Sequence, residues 1–363
     1  MRRQQRVFVT DCEGPISKND NAYELTSRYI PEGSKFFTVI SRYDDALAVV
    51  LKRKGYRAGH TLKLILPFLK AYGVTDGKMI DFSALNILLV AGAKDTMHFV
   101  QRAMPSFIVS TSYEHYLSSL CKAIGFPEKN TYSTRVNLDN YQITPKEKET
   151  LKLMAKEVAY MPLIEIPKNA RSLVDFSIKE RTTIERLDEI FWNQIPRMSV
   201  GEIFDEVNPV GGAEKAEATQ EIVAKLGCGV DSVLYVGDSI TDVDCFRLVR
   251  DGGGLTVSFN GNEYAVREAQ IAVMSENTVV TSVLADVFFR LGRESVLQLT
   301  EEWSFCSLKR FGTDPALLKE VGLLYSANLP KVMTIESDNR EEIIRESVAF
   351  RRRVRGEPIA RLG

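Results

Sequence analysis

Asp11 and Glu13 stand one residue apart in Asp11-Cys12-Glu13-Gly14-Pro15, so two carboxylates can converge on a single phosphate. One can attack phosphorus as a nucleophile. The other can protonate the departing alkoxide, then deprotonate the water that cleaves the acyl-phosphate. Gly14-Pro15 supplies the turn that brings the second acid back over the first. Taken alone, the pair reads equally as solvated loop acids. Ser110 offers a hydroxyl beside the amides of a helix start, a place for phosphoryl oxygens as well as an ordinary helix cap. Thr111 and Ser112 compete for that role. Lys215, in Gly211-Gly212-Ala213-Glu214-Lys215, can balance the charge of a nucleophile and a phosphate. The most specific stretch is Gly237-Asp238-Ser239-Ile240-Thr241-Asp242. Acids at i and i+4 across a helix start suit a hard cation held by oxygen ligands. Mg²⁺ there would bridge Asp11, Asp238 and the phosphate and neutralise charge as the nucleophile approaches.

These residues need a scaffold that holds loops together. Val7–Thr10 reads as a buried strand opening into the Asp11 loop, and Phe107–Val109 as a second strand ending at Ser110. Val233–Val236 is a third, Leu255–Phe259 a fourth and Ile271–Val273 a fifth. Helical spacing marks 44–54, 61–71, 113–124, 213–226 and 242–249. Short apolar strands separated by helices predict an α/β fold: a Rossmann-like parallel sheet with helices on both faces. Ligands of such sheets bind beyond the carboxyl ends of the strands, where Asp11, Ser110 and Asp238 all fall. Thr131–Val136 and Tyr141–Ile143 around Asp139-Asn140 read as a β-hairpin. The core is expected over 1–18, 104–144 and 206–294. A helical cap is expected over 19–103, a helical insertion (a second cap or accessory module) over 145–205, and a helical C-terminal extension over 295–363. The arginine cluster 351–355 follows acids at 341, 342 and 346 and reads as a solvated amphipathic tail. Gly252-Gly253-Gly254 follows a helix and precedes a strand, so it reads as a helix stop, not a nucleotide loop.

The bulk properties narrow the classes. The chain has 363 residues, with 47 basic and 48 acidic side chains and a net charge of -1, so no global basic field draws nucleic acid. Five cysteines without a Cys-x-x-Cys pair argue against a disulfide framework or zinc site. The three histidines are too dispersed in sequence for a metal motif. No apolar run has the length of a signal-peptide core or a membrane span, which gives a soluble, cytoplasmic expectation.

In order, Asp11-Cys12-Glu13-Gly14-Pro15, Ser110, Lys215 and Gly237-Asp238 with Asp242 resemble the motifs of the haloacid dehalogenase (HAD) superfamily. The resemblance covers about half the chain. It implies a Mg²⁺-dependent phosphatase with an aspartyl-phosphate on Asp11, acting on a small phosphorylated metabolite. Asp11, Glu13 (through its carbonyl), Asp238 and Asp242 would serve the metal. Glu13 replaces the usual Asp and Pro15 the usual Thr. A halide leaving group needs no proton, so the acid at 13 argues for ester cleavage or phosphotransfer. The helical segment after Asp11 is similar to the cap of the phosphoserine phosphatase branch, which implies substrate contacts from Asp20 and Arg42. At the level of the whole sequence, Ser41-Arg42-Tyr43-Asp44-Asp45 and Leu66–Gly73 resemble an archaeal group labelled energy-converting hydrogenase A subunit R. That label implies association with a hydrogenase complex and a regulatory or non-catalytic alternative.

Overall fold

The structure, a computed structural model, describes residues 5–326, 328–360 and 362. Seven strands form one sheet in the order β3-β2-β1-β4-β5-β6-β7. They are β1 (Val7–Thr10), β2 (Ser106–Tyr113), β3 (Thr131–Thr134), β4 (Val233–Gly237), β5 (Leu255–Phe259), β6 (Ile271–Met274) and β7 (Lys331–Thr334). The first six run parallel; β7 pairs antiparallel with β6. This is the expected α/β architecture, and its central strands are buried along their whole length, as a sheet covered on both faces requires. Alternation sends Phe8 to one face and Val7 and Val9 to the other. The helices Ala93–Ala103 and Val279–Leu291 cover the first face; Gly212–Leu226 and Val243–Asp251 cover the second.

The hairpin expected after Thr131 does not form. β3 adds parallel to the edge of β2, and residues 141–143 are not a strand. The local reason is visible: Asp76 takes the amides of Leu138 and Asp139, each at 2.9 Å, and Leu138 and Tyr141 turn into another apolar core. The helix expected over 44–54 also shifts. A helix over Gly33–Asp45 runs through a π-helical turn at Ala46–Val50 into a loop.

Residues 22–79 and 136–207 bury their apolar side chains against one another in a single cluster outside the sheet. The helix Pro145–Ala159 packs on Gly33–Asp45 and Thr61–Ala71. The Tyr43 hydroxyl donates to Asp188 and accepts from Trp192 Nε1 at 2.7 Å, tying the two segments together. The helix Ala93–Ala103 belongs instead to the core beneath the sheet. The C-terminal stretch contributes β7 besides helices.

His60 directly precedes the helix Thr61–Ala71, its ring edge-on to Tyr56 with centroids 4.6 Å apart. Burial, helped by Lys63 and Arg57, pushes its pKa down to about 4. A base whose folded pKa lies below its unfolded value stabilises the neutral fold fully above the unfolded pKa of 6.5, and that contribution is lost as pH falls from there toward 4. His60→Gln is therefore expected to lose less stability than the wild type between pH 7 and 5, by about 1–2 kcal/mol in denaturant melts. Parallel pH profiles for the two proteins would refute it.

Candidate active site at the carboxyl edge of the sheet

Asp11 and Asp238 are the residues that leave β1 and β4, neighbouring strands in register, so their side chains emerge side by side. The Asp11 amide donates to the Val236 carbonyl at 2.8 Å, which fixes the loop start. Gly14 then passes so close to Asp238 that a Cβ on it would stand 2.2 Å from the Asp238 carboxylate carbon, and its φ of 106° is one that glycine alone adopts easily.

Asp11 accepts from the Cys12 amide at 2.6 Å through Oδ1 and from Lys215 Nζ at 2.6 Å through Oδ2. Lys215 reaches in from the second turn of the helix Gly212–Leu226 and is fully buried. It also donates to Asp242 Oδ1 at 2.8 Å. Tyr235 donates to that same oxygen at 2.7 Å, while Oδ2 accepts the amides of Asp238 and Ser239. Asp242 thus takes four protein donors, which tie Lys215, Tyr235 and the start of the 238–242 loop to one carboxylate.

The charges follow from burial and pairing. Burial pushes the Asp11 carboxyl up to about 7, against the pull of Lys215, with Asp242 and Asp238 adding to the rise. Burial alone would lower Lys215, but Asp11 and Asp242 outweigh it and hold the ammonium charged. Asp242 is lowered: burial works against it, and Lys215 and Tyr235 win. Glu13 is raised by burial, with Asp20 adding, which favours its protonated form. Its Oε1 accepts from the Asn21 amide at 2.6 Å, so the second acid sits at the N-terminus of the helix Asn21–Tyr29.

A cavity of ≈ 90 Å³ opens over these groups, lined by Asp11, Glu13, Asp20, Thr111, Ser112 and Asp238 among others. The sequence-predicted residues are distributed unevenly around it. Ser110 lies inside β2, not after it, and its hydroxyl is turned to Ser112 Oγ at 3.2 Å, off the cavity wall. Thr111 lines the cavity and its Oγ1 is buried without a hydrogen-bond partner. Asp20 both caps the helix Asn21–Tyr29, accepting from the Tyr23 amide at 2.9 Å, and lines the cavity. Arg42 does not reach it: the side chain pairs with Asp45 at 3.4 Å and lines a separate cavity with Arg345 and Arg352.

Sequence reading missed two residues. Arg351 and Arg355, one turn apart on the helix Arg340–Arg355, both donate through Nη1 to Asp238 Oδ2, Arg355 at 2.9 Å. The supposed solvated tail is thus solvated on one side only. Ile343, Ile344, Ser347 and Arg351 form its buried stripe, with the Arg355 side chain 5% exposed, while Arg352 and Arg353 face outward. The signal available was that i, i+4 continuation of the apolar face.

Asp11, Asp238 and Asp242 each present a carboxylate oxygen within 4.8 Å of the others, all buried. An all-oxygen donor set of this kind fits Mg²⁺. With those four donors on Asp242, Asp11 and Asp238 are the acids that would hold it.

No protein-family profile matches this chain. No curated protein sequence matches it either. Among solved structures it is similar to a gene product of Archaeoglobus fulgidus, 27% identical, with a TM-score of 0.79 and 99% of each chain covered. It also aligns, at 13% identity and a TM-score of 0.45, with a phosphoserine phosphatase carrying a phospho-aspartyl intermediate analogue, over 77% of this chain and 98% of that one. A substrate-bound phosphoserine phosphatase aligns at 12% identity and a TM-score of 0.45, over 78% and 98%. Among the described residues no helix is long and apolar enough to cross a membrane.

Proposed function

We propose that this chain is a HAD-type, Mg²⁺-dependent phosphomonoester hydrolase that works through an aspartyl-phosphate on Asp11. The observation that carries the reading is the seating of Asp11. It is a buried carboxylate fixed by the Cys12 amide and Lys215, beside Asp238 and in a cavity that Glu13 also lines. Mg²⁺, held by Asp11 and Asp238, would supply charge neutralisation for the incoming phosphate. Lys215 keeps the nucleophile oriented and offsets its charge. An Asp11 oxygen attacks phosphorus, the ester P–O bond breaks, and Glu13 gives its proton to the leaving oxygen. Glu13 then takes a proton from water, whose oxygen attacks the phosphoryl group and releases phosphate and free Asp11. The partnerless hydroxyl of Thr111 is better placed than Ser110 to receive a phosphoryl oxygen. The cap selects the substrate, and the small cavity implies that the organic part enters as the cap shifts.

The direct test is release of inorganic phosphate from a panel of phosphomonoesters with and without Mg²⁺. Product analysis with added alcohols separates hydrolysis from phosphotransfer. Absence of Mg²⁺-dependent turnover across the panel would sink the reading. Glu13→Gln gives a sharper result, because only one of its two tasks can be bypassed. With an alkyl phosphate, kcat should fall about 10²–10⁴-fold. With p-nitrophenyl phosphate, whose leaving group needs no proton, a burst of one nitrophenolate per protein should precede slow turnover. Equal losses without a burst would remove Glu13 from the acid–base role.

A further inference from the structure

The cavity wall carries a problem for an anionic ligand. Asp11, Glu13, Asp20, Asp44, Asp45 and Asp238 all line it. Lys215 is spent on Asp11 and Asp242. Among the described lining residues, the only basic ones are Arg351 and Arg355, and both come from the C-terminal helix, more than a hundred residues from the last acid in the chain that they meet.

Their setting is that of built donors. Arg355 rests two nitrogens on backbone carbonyls: Nε on Lys18 at 3.1 Å and Nη2 on Asn19. That fixes the plane of the guanidinium and leaves Nη1 aimed at Asp238. Arg351 is 2% exposed, anchored through Nη1 to Asp238 and, at 3.4 Å, to the Asn260 carbonyl, while its Nε is buried with no partner. A buried guanidinium nitrogen without an acceptor costs free energy, so Arg351, which lines the cavity, keeps one donor unmet. Both arginines share one oxygen of Asp238, an acid that also belongs to the cation-binding trio. A cation taking up Asp238 would leave their donors to another anion.

We propose that Arg351 and Arg355 are specificity-determining residues that bind a second anionic group, carboxylate or phosphate, on the substrate. The substrate class is then a phosphomonoester with a second negative charge at its other end, in preference to neutral alcohol phosphates. Guanidinium donors suit either anion, and Arg355, held on the Lys18 and Asn19 carbonyls, has Nη1 to offer once Asp238 turns to a cation. The inference rests on the phosphatase reading only for where the phosphoryl group sits.

The test uses binding, so that it does not depend on turnover. Calorimetry on Asp11→Asn protein with Mg²⁺ compares 3-phosphoglycerate with glycerol 3-phosphate, and fructose 1,6-bisphosphate with fructose 6-phosphate. The first pair reads a carboxylate, the second a second phosphate. At least one doubly anionic member should bind about tenfold or more tightly than its mate, and Arg355→Gln should bring that ratio close to one. Arg351→Gln should do the same. Arg351→Lys, which keeps the charge in the core, serves if the glutamine variant does not fold. The ratio of kcat/KM within each pair, measured on protein with Asp11 intact, gives a second measurement. Ratios near one in the parent protein, ratios that survive both arginine substitutions, or no binding by any of the four would overturn the proposal. Turnover without a preference removes the arginine assignment alone; a preference in binding without turnover removes the phosphatase reading alone.

Discussion

Asp11→Asn is expected to lower kcat by roughly 10³-fold or more on every substrate the protein turns over, with no phosphoryl group on acid-quenched protein. An amide oxygen is too poor a nucleophile to form the acyl-phosphate. The asparagine has one further consequence. Asp11 Oδ1 accepts from the Cys12 amide, and Oδ2 accepts from Lys215. An amide can present its oxygen to only one of these donors, and its NH₂ then faces the other. The variant should therefore lose about 1–3 kcal/mol of stability as well. Circular dichroism melts separate the two effects. A folded variant that still hydrolyses phosphomonoesters at more than a few per cent of the parental rate would remove Asp11 from the nucleophile role.

Lys215→Met should be the most damaging substitution to the fold itself. It is nearly isosteric, so it opens little space, yet it strips the ammonium from between Asp11 and Asp242, both buried. Removing one partner of a buried ion pair leaves charge that water cannot reach, at a cost of about 3–5 kcal/mol. The pH dependence carries the sign of that explanation. Carboxylates deprived of their cation have pKa values raised above the unfolded ones, so they stabilise the fold more as pH falls and they become protonated. The stability gap between Lys215→Met and the parent should narrow on acidification from pH 8 to 5. Added Mg²⁺ should also narrow it by supplying positive charge to Asp11. A gap that stays constant with pH would mean that packing, not charge, is what the lysine provides.

Much of this site was legible because its parts are local. An apolar run such as Val7–Thr10 followed by an acid specifies both a strand and what stands at its end, and the same holds for Val233–Gly237 with Asp238. Lys215 was readable as a candidate cation, though not its burial, which arises only when the helix Gly212–Leu226 docks on the sheet. Ser110 was misplaced because β2 continues past it through Thr111 and Ser112 to Tyr113, small polar residues that read as a loop. The hairpin failed because strand propensity names residues that fit a sheet, not their partner; the free edge of β2 and the hold of Asp76 on residues 138 and 139 decided it. Arg351 and Arg355 were hidden by their company. Amid two more arginines and upstream glutamates their charge reads as solvation, and only packing on the helix Glu263–Glu268 turns them inward.

The position of β1 in the sheet has a consequence for how the chain is made. β1 leaves the ribosome before either of its neighbours, β2 at residue 106 and β4 at residue 233. At roughly 5–20 residues per second, the apolar strand Val7–Thr10 waits on the order of ten seconds or more for its second partner. The apolar cluster outside the sheet runs almost wholly from residue 22 to residue 207, so most of it is made before β4. The helix that brings Arg351 and Arg355 to Asp238 is made after every strand of the sheet. A nascent chain stalled near residue 330 would hold all three clustered acids and neither arginine, so the pocket is complete only once the helix Arg340–Arg355 has been made.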